Sequence, residues 1–236
     1  MDKEFLYDML RTPSVSGHEI ALQKKVIQHM EPVADEILTD ATGDVISVLN
    51  PHAEAKVLLC GHIDEIGFLV TRICEDGMLK VTKAGGIHPV LYLGTHVQVV
   101  CASQILPGVV VTNRTLESKE QVQVEDLFID LGFDSKAECE RYVSIGDPVC
   151  AASEFTELAH GKLAGRALDD RIGAFIILEA LKKAKQKQAA CGIYAATTCG
   201  EETTMRGAYH VATRVQPSCA LIVDVTFASD YPGVSG

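Results

Sequence analysis

The 236-residue chain predicts an α/β fold in which a mixed sheet flanked by helices is interrupted by a β-rich, barrel-like insertion. Three observations carry this reading. Stretches with apolar residues at helical spacing alternate with short β-branched runs toward both ends of the chain. The run KVLLCGHI, Lys56 to Ile63, is apolar almost throughout, as a central strand covered on both faces should be. From Gly67 to about Ala152 the helical spacing gives way to short β-like segments with frequent glycine.

Taken in order, residues 3–11 and 18–31 read as helices, separated by Pro13-Ser14-Val15-Ser16-Gly17, where Ser16 or Gly17 is the expected cap of the second. Strands follow at Glu36 to Leu38, Val45 to Leu49 and Lys56 to Ile63. The expected insertion spans residues 68–152, with a tight Glu75-Asp76-Gly77 turn and a polar stretch, Asn113 to Asp126, read as a mobile loop. Residues 1–67 and 153–236 would together form the α/β domain. Its second part reads as helix Asp169 to about Lys187, strand Gly192 to Thr198, helix Arg206 to Arg214 and strand Ala220 to Val225.

Composition narrows the classes of function. An apolar content of 47% is too high for a disordered segment. The start MDKEFLYDML places acids and a lysine among the first apolar residues, unlike a secretory signal, and no apolar run reaches the ~20 residues of a membrane helix. A net charge of −11 argues against a partner that tracks phosphates, so no nucleic-acid partner is expected. The eight cysteines are scattered singly and never form CxxC, which suits reduced thiols in the cytoplasm rather than a zinc-finger framework.

Four segments place ionisable groups at expected strand ends, where the crevice of an α/β sheet binds ligands. His62-Ile63-Asp64 ends the central strand, and period-2 alternation sends both polar side chains to one side. The histidine suits a metal ligand oriented by the carboxylate, or simply a strand-end residue beside a turn aspartate. Asp169-Asp170-Arg171 opens an apolar helix, where the acids are either caps or a rigid carboxylate able to bridge two cations. Glu201-Glu202 follows the strand GIYAATT; adjacent acids face different ways, so one could ligate while the other takes a proton from water, and the plain alternative is a solvated acidic turn. Asp224 sits within the apolar run ALIVDV, where a carboxylate is rarely buried unless paired or metal-bound.

Together these residues would suit two divalent cations ~3.5–4 Å apart, most readily zinc, with cobalt or manganese as alternatives. The sequence lacks GxSxG, HExxH, GxxxxGK[ST] and GxGxxG, which removes the rival hydrolase and nucleotide-binding readings.

The segments GHIDEIGFLV, GRALDDRIG, GEETTMRGA and DVTFASDYPGV, in this order, resemble metallopeptidase family forty-two, the glutamyl or tetrahedral aminopeptidases. The resemblance runs from the SVSGHE segment to Gly236. It implies a dinuclear-zinc exopeptidase-like catalytic domain interrupted by a dimerisation domain. It also implies short peptides as substrates and homo-oligomers of dimeric building blocks, often of twelve subunits. By the same resemblance His62 and Asp224 would hold one metal, Glu202 the other and Asp169 both, while Glu201 would be the general base and Asp64 would orient His62.

Gly200, Thr204 and Phe227 depart from the family's usual glutamine, glycine and histidine. Family members also continue beyond DVTxAxDYPGV to a last histidine ligand, and neither His160 nor His210 stands in a context to replace it. Without that ligand the second metal is expected to rest on Glu202 and the bridge alone. Two further readings are therefore carried: a catalytically impaired homologue that keeps the fold and the oligomer, and a related dinuclear amidase or deacylase.

Overall fold

A computed structural model of the chain describes residues 2–112, 122–152 and 155–229. The N-terminal helices are α1 (Lys3–Arg11) and α2 (Ile20–Met30), each burying one apolar stripe, Phe5, Leu6, Met9 and Leu10 in the first and Leu22, Val26 and Met30 in the second. The expected cap of α2 is corrected. Glu19 occupies the cap position without a side-chain cap bond. Its buried carboxylate instead accepts the backbone N–H groups of Gly17 at 2.8 Å and Gly200 at 3.0 Å.

Strands β1 (Glu36–Thr39), β2 (Val45–Leu49) and β3 (Lys56–His62) follow, and the chain then leaves for the insertion. There β4 (Gly67–Ile73), β5 (Leu79–Ala84), β6 (His96–Val100), β7 (Ile105–Thr112), β8 (Leu127–Asp130) and, after a short helix α3 (Lys136–Cys139), β9 (Pro148–Ala151) form a closed barrel in the order β4-β5-β8-β7-β6-β9. Alternation builds its core. In β6, Val97 and Val99 point inward to meet Phe68, Leu79, Val110, Ile129 and Val149, while His96 is exposed. Of the polar stretch expected as a mobile loop, residues 113–121 lie outside those described. Its end is ordered: Val122 is buried in the barrel core and Val124–Asp126 forms a 3-10 turn closed by reciprocal bonds between Gln123 and Asp126.

A small hairpin of β10 (Thr156–Glu157) and β11 (Leu163–Ala164) leads back to α4 (Leu168–Gln186), β12 (Gly192–Thr198), the single turn α5 (Glu201–Thr204), α6 (Arg206–Val215) and β13 (Cys219–Ile222). The five-stranded sheet runs β1-β2-β12-β3-β13, with β3 parallel to β12 and β13 and the other pairs antiparallel. Helices α1, α2 and α4 cover one face through Leu10, Leu22, Leu178 and Leu181, and α6 covers the other through Val211 and Val215. β3 and α4 approach so closely that a Cβ on Gly61 would lie 2.8 Å from the backbone nitrogen of Ala174.

The last strand is shorter than Ala220 to Val225. β13 ends at Ile222, paired to Cys60 of β3, and its Leu221 and Ile222 are exposed along the sheet edge. Asp224 thus lies beyond the strand and is exposed, rather than held within it. All eight cysteines are free thiols; Cys60, Cys101, Cys139, Cys150 and Cys199 are buried and Cys219 is exposed. Among the described residues no helix is long and apolar enough to cross a membrane.

Candidate metal centre

The parallel register sets Thr198 of β12 beside His62 of β3, so two strands end together and the segments that follow them meet. His62 is buried at the rim. Its Nδ1 lies 3.2 Å from the backbone oxygen of Asp64 and 3.4 Å from the Asp64 carboxylate. That arrangement turns Nε2 outward, to 3.0 Å from Oδ1 of Asp169 and 3.8 Å from Oε2 of Glu201. One ligand atom each from His62, Asp169 and Asp224 falls within 4.8 Å of the others.

Asp64 is fully buried and does more than face the imidazole. Its two carboxylate oxygens accept the backbone N–H groups of Glu201 at 3.0 Å and Glu202 at 3.2 Å. The backbone of the two glutamates is consequently fixed at the start of α5. Gly200 just before them has φ +68°, and the guanidinium of Arg206 fills the space a Cβ would need.

The sequence left open whether Asp169 and Asp170 act as caps, and the structure divides the pair. The peptide bond joining them is cis, and neither has helical torsions. Asp170 caps α4, its Oδ1 accepting the N–H of Gly173 at 3.1 Å, while Asp169 is exposed and faces His62. Asp169 and Glu202 also line a cavity of about 290 Å³ together with Ile66, Tyr92 and Arg166.

Electrostatics reflect the crowding of acids. Burial, reinforced by Asp169, pushes Glu202 up to about 7, and burial with Asp224 nearby does the same to Asp170. Glu201 is raised by burial and by Asp224, Asp64 and Asp169, against the opposing pull of His62. Burial alone would lower His62, but Asp64, Glu201 and Asp170 overcome it and hold the ring at about 9. Carboxylates that repel one another around an imidazole are a charge arrangement that a cation relieves.

Sequence reasoning missed the support beneath this cluster. Glu65, next to Asp64, is buried and takes two 2.6 Å contacts from Nη1 of Arg166 and one of 2.7 Å from Nη2 of the buried Arg171. Arg171 also donates to the carbonyls of Met9 and Leu10 and to Ser14 Oγ. The available signal was an arginine opening an otherwise apolar helix, where burial demands a partner.

Comparison with known proteins matches residues 43–236 to the family described as M42 glutamyl aminopeptidase. The lysyl aminopeptidase of Pyrococcus furiosus is 30% identical, over 97% of this chain and 67% of its own. A TET aminopeptidase from the marine sediment archaeon Thaumarchaeota archaeon SCGC AB-539-E09 superposes with a TM-score of 0.92 at 32% identity, covering 98% of this chain and 67% of that one. The TET1 peptidase of Pyrococcus horikoshii, described as assembling into a tetrahedron or a large octahedral shell, gives 0.86 at 30% identity over 99% of this chain and 72% of its own. This chain thus spans about two thirds of the length of such relatives. With residues 43–236 matched to the family's model and the sheet and barrel shared with TET aminopeptidases, the chain belongs to the M42 glutamyl aminopeptidase family of peptide hydrolases.

Proposed function

We propose that this chain is a metal-dependent aminopeptidase that removes N-terminal residues from short peptides. The observation that carries the reading is the convergence of His62, Asp169 and Asp224 within 4.8 Å, with Glu201 beside them. One imidazole nitrogen and several carboxylates fit divalent cations of the zinc, cobalt or manganese type. In this reading His62 and Asp224 would hold one cation and Glu202 a second, with Asp169 available to both.

Such cations, when bound, would polarise the peptide carbonyl and acidify a water enough for attack near neutral pH. Glu201 is the general base: its carboxylate, raised by burial and neighbouring acids, accepts the proton of the attacking water and delivers it to the departing amine. Asp64 positions both partners, since one carboxylate faces the His62 ring and fixes the amides of Glu201 and Glu202. The cavity beside Asp169 and Glu202 is the place for the substrate's first residue. The likeness to shell-forming TET peptidases supports a homo-oligomer, for which the barrel is the dimerisation unit, and the free thiols suit the cytoplasm.

The test is release of amine from aminoacyl anilides by the purified chain after addition of zinc, cobalt or manganese. Metal-stimulated release from free but not N-acylated substrates is expected. A folded sample that no metal stimulates overturns the reading, and hydrolysis of only the N-acylated substrates replaces it with an amidase.

A further inference from the structure

A second group of ligating side chains lies away from the crevice, on the α6 face of the sheet. Asp40 follows β1, Asp44 precedes β2, and His210 comes from α6. One ligand atom each from the three falls within 4.8 Å of the others, with His210 Nδ1 3.0 Å from Asp40 Oδ2 and 3.6 Å from Asp44 Oδ2.

Two observations show that the carboxylates of this cluster are short of hydrogen-bond donors. First, Thr42 Oγ1 lies 2.6 Å from Asp40 Oδ1 and also 2.6 Å from Asp44 Oδ2, yet a hydroxyl donates only one hydrogen bond. Second, the Asp40 side chain is 10% exposed, and its buried Oδ2 faces His210 Nδ1 at 3.0 Å without a well-aligned hydrogen bond. Asp44 is fully buried. The guanidinium of Arg214 stands 3.7 Å from Asp40 Oδ2 and donates to the carbonyl of Thr39. It offsets part of two negative charges.

We propose that Asp40, Asp44 and His210 bind a further divalent cation of the zinc, cobalt or manganese class, with water completing the shell on the half-exposed His210 side. An imidazole and two carboxylates are the donor set such ions take. The cation braces the catalytic segment. Asp44 Oδ1 accepts the N–H of Cys199 at 2.8 Å, two residues before Glu201, and a Cβ on Gly207 would come within 2.5 Å of the same oxygen. Fixing Asp44 therefore fixes both the start of α6 and the approach to α5.

The crevice also attracts metal, so binding is measured where it cannot. A His62→Ala/Asp169→Asn/Asp224→Asn chain, dialysed against micromolar zinc, should retain one zinc per chain. Cobalt in its place should give a visible absorption band from nitrogen ligation. Adding His210→Ala, a half-exposed position, should weaken zinc binding at least about tenfold with an unchanged circular dichroism spectrum. In the unmodified chain the same His210→Ala change should lower total bound zinc by one, which keeps the test independent of how the triple variant folds. Zinc content unaffected by His210→Ala, or no zinc in the folded triple variant, overturns the proposal. Neither readout depends on peptidase activity.

Discussion

Oδ1 of Asp64 accepts the backbone N–H of Glu201 at 3.0 Å, joining the exit of β3 to the start of α5 across 137 residues of sequence. The same carboxylate holds the amide of Glu202 and faces His62, so one buried acid sets the direction of three candidate site residues. Asparagine at this position keeps a single acceptor oxygen and turns a donor toward one of the amides. Asp64→Asn should therefore lower metal affinity or kcat by about 10–100-fold, read by dialysis and steady-state rates on a sample with native circular dichroism.

Glu201→Gln separates base from ligand. Loss of a proton acceptor predicts a fall in kcat of about 10²–10⁴-fold with zinc content and KM unchanged. Loss of zinc instead would make Glu201 a ligand and require another base.

The buried pair of Glu65 and Arg171 predicts a stability effect without a direct chemical one. Arg171→Met leaves Glu65 short of a charged donor and frees the carbonyls of Met9 and Leu10, which should cost about 3–5 kcal/mol in urea unfolding. The Glu65→Gln/Arg171→Met double variant should lose less than the sum of the single changes. Strict additivity would mean that the contact carries no coupling.

Proton linkage gives a pH prediction for the metal-free chain. The folded state holds His62 at about 9 against an ordinary 6.5, so it binds that proton more tightly than the unfolded chain does. The stabilisation is full below pH 6.5 and is lost as pH rises through 9, an order-of-magnitude loss of about 3 kcal/mol. Glu202 and Asp170 act with the same sign at lower pH, their stabilisation fading as pH rises toward 7. Calorimetry in EDTA should thus show Tm falling between pH 7 and 9. His62→Gln should flatten that slope, and so should zinc, because a ligating imidazole carries no proton to lose.

Much of this was legible because the informative residues sit at element ends. The apolar run before His62 announced a strand, and a polar group directly after such a strand has one crevice to face. Local chemistry was less transparent. Ser16 and Gly17 looked like the cap of α2, but tertiary contacts recruited Glu19 to hold Gly17 and Gly200 instead. The run ALIVDV suggested a strand through Val225, yet the paired strand ends at Ile222, with one more bond from the Val223 N–H to the carbonyl of Cys60. Asp40, Asp44 and His210 carry no local signal at all. The turn between β1 and β2 meets α6 only after the sheet has formed.

That last point extends to how the molecule assembles. The barrel's hairpins, β4 with β5 and β6 with β7, join residues close in sequence, whereas the pair of β3 with β12 closes a loop from Thr198 back to His62. Loop closure of that length carries an entropic cost before any contact repays it, and topologies dominated by such contacts fold slowly. The hairpins of the inserted barrel should accordingly form first, and the barrel closes when β9 pairs with β4 and β6. The crevice, whose walls come from both sides of it, should come together last, with pulse-labelled amides protected in β4 to β7 before those of β12.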